Sequence, residues 1–284
     1  MDKKTLIVRT LSGIVYVALI ICAILINDFV FAAIFATLCV LTTYEFHKLT
    51  AKQENVNTLA WIGALGSFLL FVGNFLLHLK NDLAFINSKL FYLAIIILAV
   101  YVLLIFAVFI IEIFRKKPNP VHNIAYFLLG QIYITVPFVF MFEIFKEFNA
   151  VFLLALFVLI WTNDVFAYLI GSLVGKHKLC ERISPNKSWE GFFGGLVGAL
   201  IAGFVFSKIY AENINLIQWL GFAFVVAVFG ALGDLFESLI KRTVGVKDSG
   251  NIMPGHGGFL DRLDSALFAA PAAMIYLYLI LFLK

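Results

Sequence analysis

Residues 91–114 read FYLAIIILAVYVLLIFAVFIIEIF, and the one charged side chain among them is Glu112. At ~1.5 Å per residue a helix of this length spans about 36 Å, more than the ~30 Å hydrocarbon core of a bilayer. A transmembrane barrel would need segments of about ten residues alternating between apolar and polar faces, whereas this run is continuously apolar. A helix also satisfies its own backbone hydrogen bonds in lipid. Working outward, comparable runs recur at Leu11–Ile26, Phe29–Phe46, Leu59–His78, Val121–Phe145, Ala150–Leu173, Gly191–Tyr210, Leu216–Glu237 and Ser265–Leu283. The chain is 63% hydrophobic and 13% charged, against roughly 45–50% and ~25% in soluble domains. These features predict an all-α, polytopic integral membrane protein of about nine transmembrane helices and exclude a water-soluble fold.

Basic residues set orientation in membranes. Of the 21 Lys and Arg residues, Lys80, Lys89, Lys146, Lys208 and Lys284 fall on one side of the predicted spans, leaving sixteen on the other. The richer side is expected to be cytoplasmic, with the amino terminus inside and the carboxy terminus outside. Met1 to Arg9 followed by Leu11 to Ile26 imitates a signal peptide. A second apolar run follows at once without a small-residue cleavage site, so the first helix is expected to be retained. Cys22, Cys39 and Cys180 lack metal-ligand spacing and read as inert thiols.

Residues 1–149 read as amino-terminal scaffold helices and 150–284 as the chemically active region, the whole treated as one domain. Trp161-Thr162-Asn163-Asp164 interrupts the sixth span roughly a dozen ångströms from its cytoplasmic end, counting ~1.5 Å per residue. An acid at that depth faces a bundle interior or a water-filled cavity and is functional by default. The basic loop from Gly175 to Gly191 suits an anionic headgroup or nucleotide. Within it Ser184-Pro185-Asn186-Lys187 carries turn chemistry, which places Lys187 near a helix start, where anions bind favourably.

The segment from Asp234 to Asp264 carries the densest signal. Asp261 and Asp264 are three apart, so on a helix they share one face and can hold a hard cation through carboxylate oxygens. Asp234 ends the preceding span, and a hairpin of adjacent helices would bring it opposite them. Gly255, Gly257 and Gly258 let backbone approach a ligand closely. Lys241, Arg242, Lys247 and Arg262 supply countercharge, and His256 either donates to a phosphate or caps the loop. Ordinary loop geometry would explain the glycines and a topology signal would explain Lys241-Arg242. Neither explains three carboxylates at an anionic membrane surface.

Here the sequence resembles the phosphatidate cytidylyltransferases, or CDP-diacylglycerol synthases. Their signature runs Ser-x-apolar-Lys-Arg, four residues, Lys-Asp-x-small, two residues, apolar, Pro or Gly, x, His-Gly-Gly-apolar-x-Asp-Arg-apolar-Asp, and Ser238 to Asp264 matches it at every polar position. The stretch with Asn163-Asp164, Gly171, Gly175-Lys176, Ser184-Pro185, Lys187 and Glu190-Gly191 is also similar. The resemblance implies that CTP and phosphatidate give CDP-diacylglycerol and pyrophosphate. Asp234, Asp261, Asp264, Lys241 and Arg242 are the implied catalytic residues, the three aspartates also holding metal. Implied substrate contacts are Asn163, Asp164, Lys176, Ser184, Lys187, Ser238, Lys247, Asp248, His256, Gly257, Gly258 and Arg262. Mg²⁺ is the implied cofactor, with Mn²⁺ as substitute and K⁺ as second cation. The expected setting is a bacterial inner membrane with the site facing the cytoplasm, no nucleic-acid partner, and room for a homodimer.

Two other readings share features with this one. A transporter would also use an intramembrane Asp164 and Gly-broken spans, but the polar groups lack a counterpart in the first half that would suggest an inverted repeat. A CTP-dependent lipid-alcohol kinase would release CDP rather than pyrophosphate.

Overall fold

The computed structural model describes residues 3–79, 87–212, 214–250 and 257–283. Among these the helices are α1 (Lys3–Ile26), α2 (Asp28–Thr50), α3 (Ala60–His78), α4 (Asn87–Phe114), α5 (Pro120–Phe148), α6 (Ala150–Val174), α7 (Trp189–Ile209), α8 (Leu216–Thr243) and α9 (Leu260–Phe282). Eight are long and apolar enough to cross a membrane, and Thr10–Ile26 of α1 is a shorter apolar stretch. The protein is therefore an all-α polytopic membrane protein.

Short polar residues start the helices. Asn27 accepts the Val30 amide at 2.9 Å, Asn149 the Val151 amide at 3.1 Å, and Ser188 the Gly191 amide at 3.1 Å, each satisfying an otherwise orphaned donor. In α5 a π-turn over Gln131–Thr135 ends one residue short of Pro137. Proline has no N–H to give to the preceding turn, and a local widening accommodates that loss.

Two elements differ from their predicted form. Ser184–Ser188 is not a turn but a strand, β2, paired antiparallel with β1 (Lys178–Cys180) in a small ribbon, with the reversal at Glu181–Ile183. The second difference is that α8 runs on to Thr243 instead of stopping at Glu237. Charged residues end a membrane run without ending a helix, because Glu, Lys and Arg are good helix formers in water.

The chain divides into two compact units, Met1–Phe142 with Thr243–Arg262, and Glu143–Arg242 with Leu263–Lys284. The stretch from Thr243 to Arg262, grouped with the carboxy-terminal half in the sequence, thus packs with the first unit. That unit's core is aromatic. Phe31 stacks on Phe35 at 4.1 Å between ring centres, and Phe138 and Phe142 meet them edge-on or tilted. A polar lock joins α4, α5 and the residue at 57. Buried Glu112 accepts from Arg115 at 2.8 Å and from Asn123 at 2.9 Å. Arg115 also donates to the Asn57 carbonyl, and Asn123 accepts the Asn57 amide at 2.7 Å. Glu112→Ala strands both donors, so it is expected to cost about 2–4 kcal/mol of stability. A lowered melting temperature in detergent would register it; an unchanged one would mean that the lock contributes nothing.

In the second unit Trp219 is fully buried, stacked on Phe152 at 5.1 Å and on Phe206 at 5.4 Å. Small residues bring helices together, as they do in membranes generally. A Cβ at Gly195 would lie 2.6 Å from the Asn163 side-chain oxygen, so α7 touches α6 at that level.

Candidate active site

In the second unit the site grows from the extension of α8. Helical spacing puts Asp234, Ser238 and Lys241 on one face, with Glu237 beside them. Ser238 Oγ lies 3.5 Å from Asp234 Oδ1, and Lys241 forms an ion pair with wholly buried Glu237. Gly233 determines what faces this surface. A Cβ there would collide with the Asp264 carbonyl and meet Phe268 at 3.0 Å, so only glycine lets α9 come this close. The contact brings Asp264 to Asp234: one carboxylate oxygen from each of Asp234, Glu237 and Asp264 lies within 4.8 Å of the others.

Basic groups balance the acids. Lys187, at the end of β2, forms an ion pair with Asp234, and Asp264 interacts electrostatically with Asp234, Asp164 and Lys187. Sequence-predicted Asp164, Lys187, Asp234, Ser238, Lys241 and Asp264 therefore belong to one constellation, with Asn163 packed on α7 behind it. The ribbon that delivers Lys187 is pinned from α7. Glu190 accepts the Lys176 amide at 3.1 Å, the His177 amide at 3.2 Å and a 2.6 Å contact from the His177 ring. Arg242 Nε donates to the Ile183 carbonyl at 3.3 Å. Lys176 itself is exposed and Ser184 half-buried in β2.

In the first unit, Asp261 lies in the first turn of α9. Its carboxylate accepts the Ser249 amide at 3.0 Å, the Gly258 amide at 2.8 Å and lies 2.8 Å from Ser249 Oγ. Gly257 has φ +84, in the left-handed region, and a Cβ on it would collide with Asp261. The Arg262 carbonyl accepts from the Tyr16 hydroxyl at 3.0 Å, and Lys247 and Asp248 are exposed. Pro254, Gly255 and His256 lie outside the described residues.

Two acids escaped the sequence reading as site residues. Glu237 was legible as the i+3 neighbour of Asp234, once α8 is allowed to continue. Glu45, in α2, had one signal, an acid inside an apolar span.

Three carboxylates flanked by lysines suit a hard cation, which prefers oxygen ligands. The fold and this cluster define a polytopic membrane protein with a cluster of acidic and basic side chains brought together from several helices and the ribbon. Residues 7–280 match the model of the cytidylyltransferase family, and the chain belongs to that family. Over 153 residues it is 44% identical to the phosphatidate cytidylyltransferase of Staphylococcus aureus (strain COL), a match covering 54% of this chain and 58% of the relative. The protein of that name from Staphylococcus saprophyticus is likewise 44% identical, and that from Staphylococcus epidermidis (strain RP62A) 42%, with the same coverage. The matched stretch therefore spans little more than half of each relative.

Proposed function

We propose that this protein is a phosphatidate cytidylyltransferase, converting CTP and phosphatidate to CDP-diacylglycerol and pyrophosphate in a bacterial inner membrane, with its site facing the cytoplasm. The observation that carries the reading is the cluster of Asp234, Glu237 and Asp264 with Lys187 and Lys241, next to a complete family signature. In the reaction a phosphatidate oxygen attacks the α-phosphorus of CTP, a new P–O bond forms, and the bond to the β-phosphate breaks to release pyrophosphate. By analogy with phosphoserine, whose second ionisation lies near pH ~6, the lipid phosphate is largely dianionic at neutral pH and needs little help from a base. Repulsion between two polyanions is the greater obstacle.

The acids fit a divalent ion. Asp234, Asp264 and Glu237, with Asp261 proposed from the signature, would hold Mg²⁺ or Mn²⁺, and K⁺ is proposed as a second cation. When bound, the divalent ion supplies charge neutralisation to the phosphates. Lys187 and Lys241, ion-paired with Asp234 and Glu237, would exchange these partners for phosphate oxygens as substrate enters. Arg242, whose Nε donates to the ribbon at the Ile183 carbonyl, is assigned as a phosphate ligand of the guanidinium type. Asn163, Asp164, Ser238, Lys176 and Ser184 complete the substrate contacts of the second unit. Lys247, Asp248, His256, Gly257, Gly258 and Arg262 are assigned to substrate on the strength of the signature.

Incubation of the purified protein with CTP, Mg²⁺ and short-chain phosphatidate tests this reading. Stoichiometric pyrophosphate and CDP-diacylglycerol are expected. Release of CDP with a lipid-alcohol acceptor would instead identify a kinase, and nucleotide-independent uptake into vesicles would identify a carrier.

A further inference from the structure

Glu45 sits in α2 with 4% of its surface exposed, far in sequence from the signature. Its carboxylate accepts the Phe259 amide at 2.9 Å and the hydroxyl of Ser249. Gly250 and Gly258 press against it: a Cβ on Gly250 would lie 2.9 Å from the Glu45 carboxyl carbon, and one on Gly258 would overlap the carboxylate. Asp261 takes the complementary donors, the amides of Ser249 and Gly258. Two carboxylates therefore divide between them the chain on both sides of residues 251–256, and Ser249 Oγ touches both. Burying an acid among apolar helices is costly unless its oxygens are satisfied. Here the donors among the described residues, the Phe259 amide and the Ser249 hydroxyl, come from the signature segment.

We propose that Glu45 is a positioning residue for the reaction: it fixes the backbone at 249–250 and 258–259, and thereby the carboxylate of Asp261 and the start of α9. An apolar side chain at position 45 would pack among the same helices but would leave the Phe259 amide without its carboxylate acceptor and would take from the Ser249 hydroxyl one of its two acceptors. The small residues at 250 and 258 then have a cause internal to the protein, since Glu45 occupies the space their side chains would fill. The catalytic consequence rests on the cytidylyltransferase reading; the structural one does not.

The test uses the full-length protein in nanodiscs, with hydrogen exchange and pyrophosphate release measured on Glu45→Ala and Glu45→Gln. In Glu45→Ala the amides of Ser249, Gly258 and Phe259 are expected to exchange at least about tenfold faster, while amides of α6 and α7 keep their rates, as for a local opening. Its kcat is expected to fall by about tenfold or more with KM for CTP little changed, the signature of misplacement rather than lost binding. Gln keeps an oxygen for the Phe259 amide and offers an NH₂ to Ser249 Oγ, so Glu45→Gln should return both readouts to within about threefold of the starting protein. Unchanged exchange in Glu45→Ala overturns the proposal, as does full turnover despite faster exchange, or a Gln variant that restores exchange but not turnover. Should the Ala variant fail to fold, the Gln variant decides. If the unmodified protein makes no pyrophosphate at all, the proposed activity falls while the exchange measurement still decides the role of Glu45.

Discussion

Asp264→Asn is expected to lower Mg²⁺-dependent pyrophosphate release by about 10³-fold, at the upper end of what removal of one preorganised charge does. The replacement is nearly isosteric, and its amide oxygen can still accept the Ser265 amide that Asp264 takes at 2.7 Å. What it removes is one negative charge from a cluster whose acids lie within 4.8 Å of one another. That loss has opposite effects on folding and on chemistry. Without a cation, Asp264 is repelled by Asp234 and Asp164 and attracted by Lys187, so the Asn variant should melt no lower, and by this balance somewhat higher, than the starting protein in chelator. With a cation the order reverses. A ligand that binds only the folded state stabilises by RT ln(1 + [L]/Kd), so saturating Mg²⁺ should raise the melting temperature of the starting protein and raise that of Asp264→Asn much less. Thermal melts in chelator and in Mg²⁺, beside the turnover assay, check both signs. A variant that loses activity yet keeps its full Mg²⁺ shift would remove Asp264 from the cation site.

The helices were legible because a bilayer imposes a length and an apolar composition, and Phe91 to Phe114 meets both without help from any other part of the chain. That criterion fails where the polypeptide leaves the lipid. The last turns of α8, from Ser238 to Thr243, look like a connection because they are charged, although Asp234, Ser238 and Lys241 already stand at helical spacing. The ribbon was hidden for another reason: Lys178–Cys180 is three residues long, too short for alternation to register, and its partner contains Pro185, which reads as turn chemistry. Among the acids, the sequence set Asp234 opposite Asp261 and Asp264 together, and the structure brings an oxygen of Asp234 within 4.8 Å of one from Asp264. The partners of Asp261 were not legible, since Ser249 is a variable position of the signature. Glu45 was visible as an acid in an apolar run, but its partners lie some two hundred residues away, and nothing local announces a contact at that separation.

Gly233 offers the sharpest comparison of packing with chemistry, because Gly230 stands one turn away on the same helix. A Cβ at Gly230 would lie 3.7 Å from Ile160 and from Ser265, an ordinary van der Waals distance, whereas one at Gly233 would meet the Asp264 carbonyl and Phe268. Gly230→Ala is therefore expected to leave turnover within about threefold, and better helix propensity, about 1 kcal/mol for Ala over Gly, should offset any crowding. At Gly233→Val two branches meet backbone that has no rotamer with which to give way. Forcing bulk into a closed contact costs about 1–3 kcal/mol, occasionally more, and the relief open to the protein is to move α9 from α8. The displaced element carries Asp264, and a shift of about 1 Å in a positioned group costs about 10²-fold in rate. Turnover of Gly233→Val is thus expected to fall about 10²-fold, with the Mg²⁺-induced thermal shift reduced in parallel, because Asp234 and Asp264 no longer converge. Comparable turnover in the two variants would mean that the close approach of α8 and α9 is not what assembles the acids.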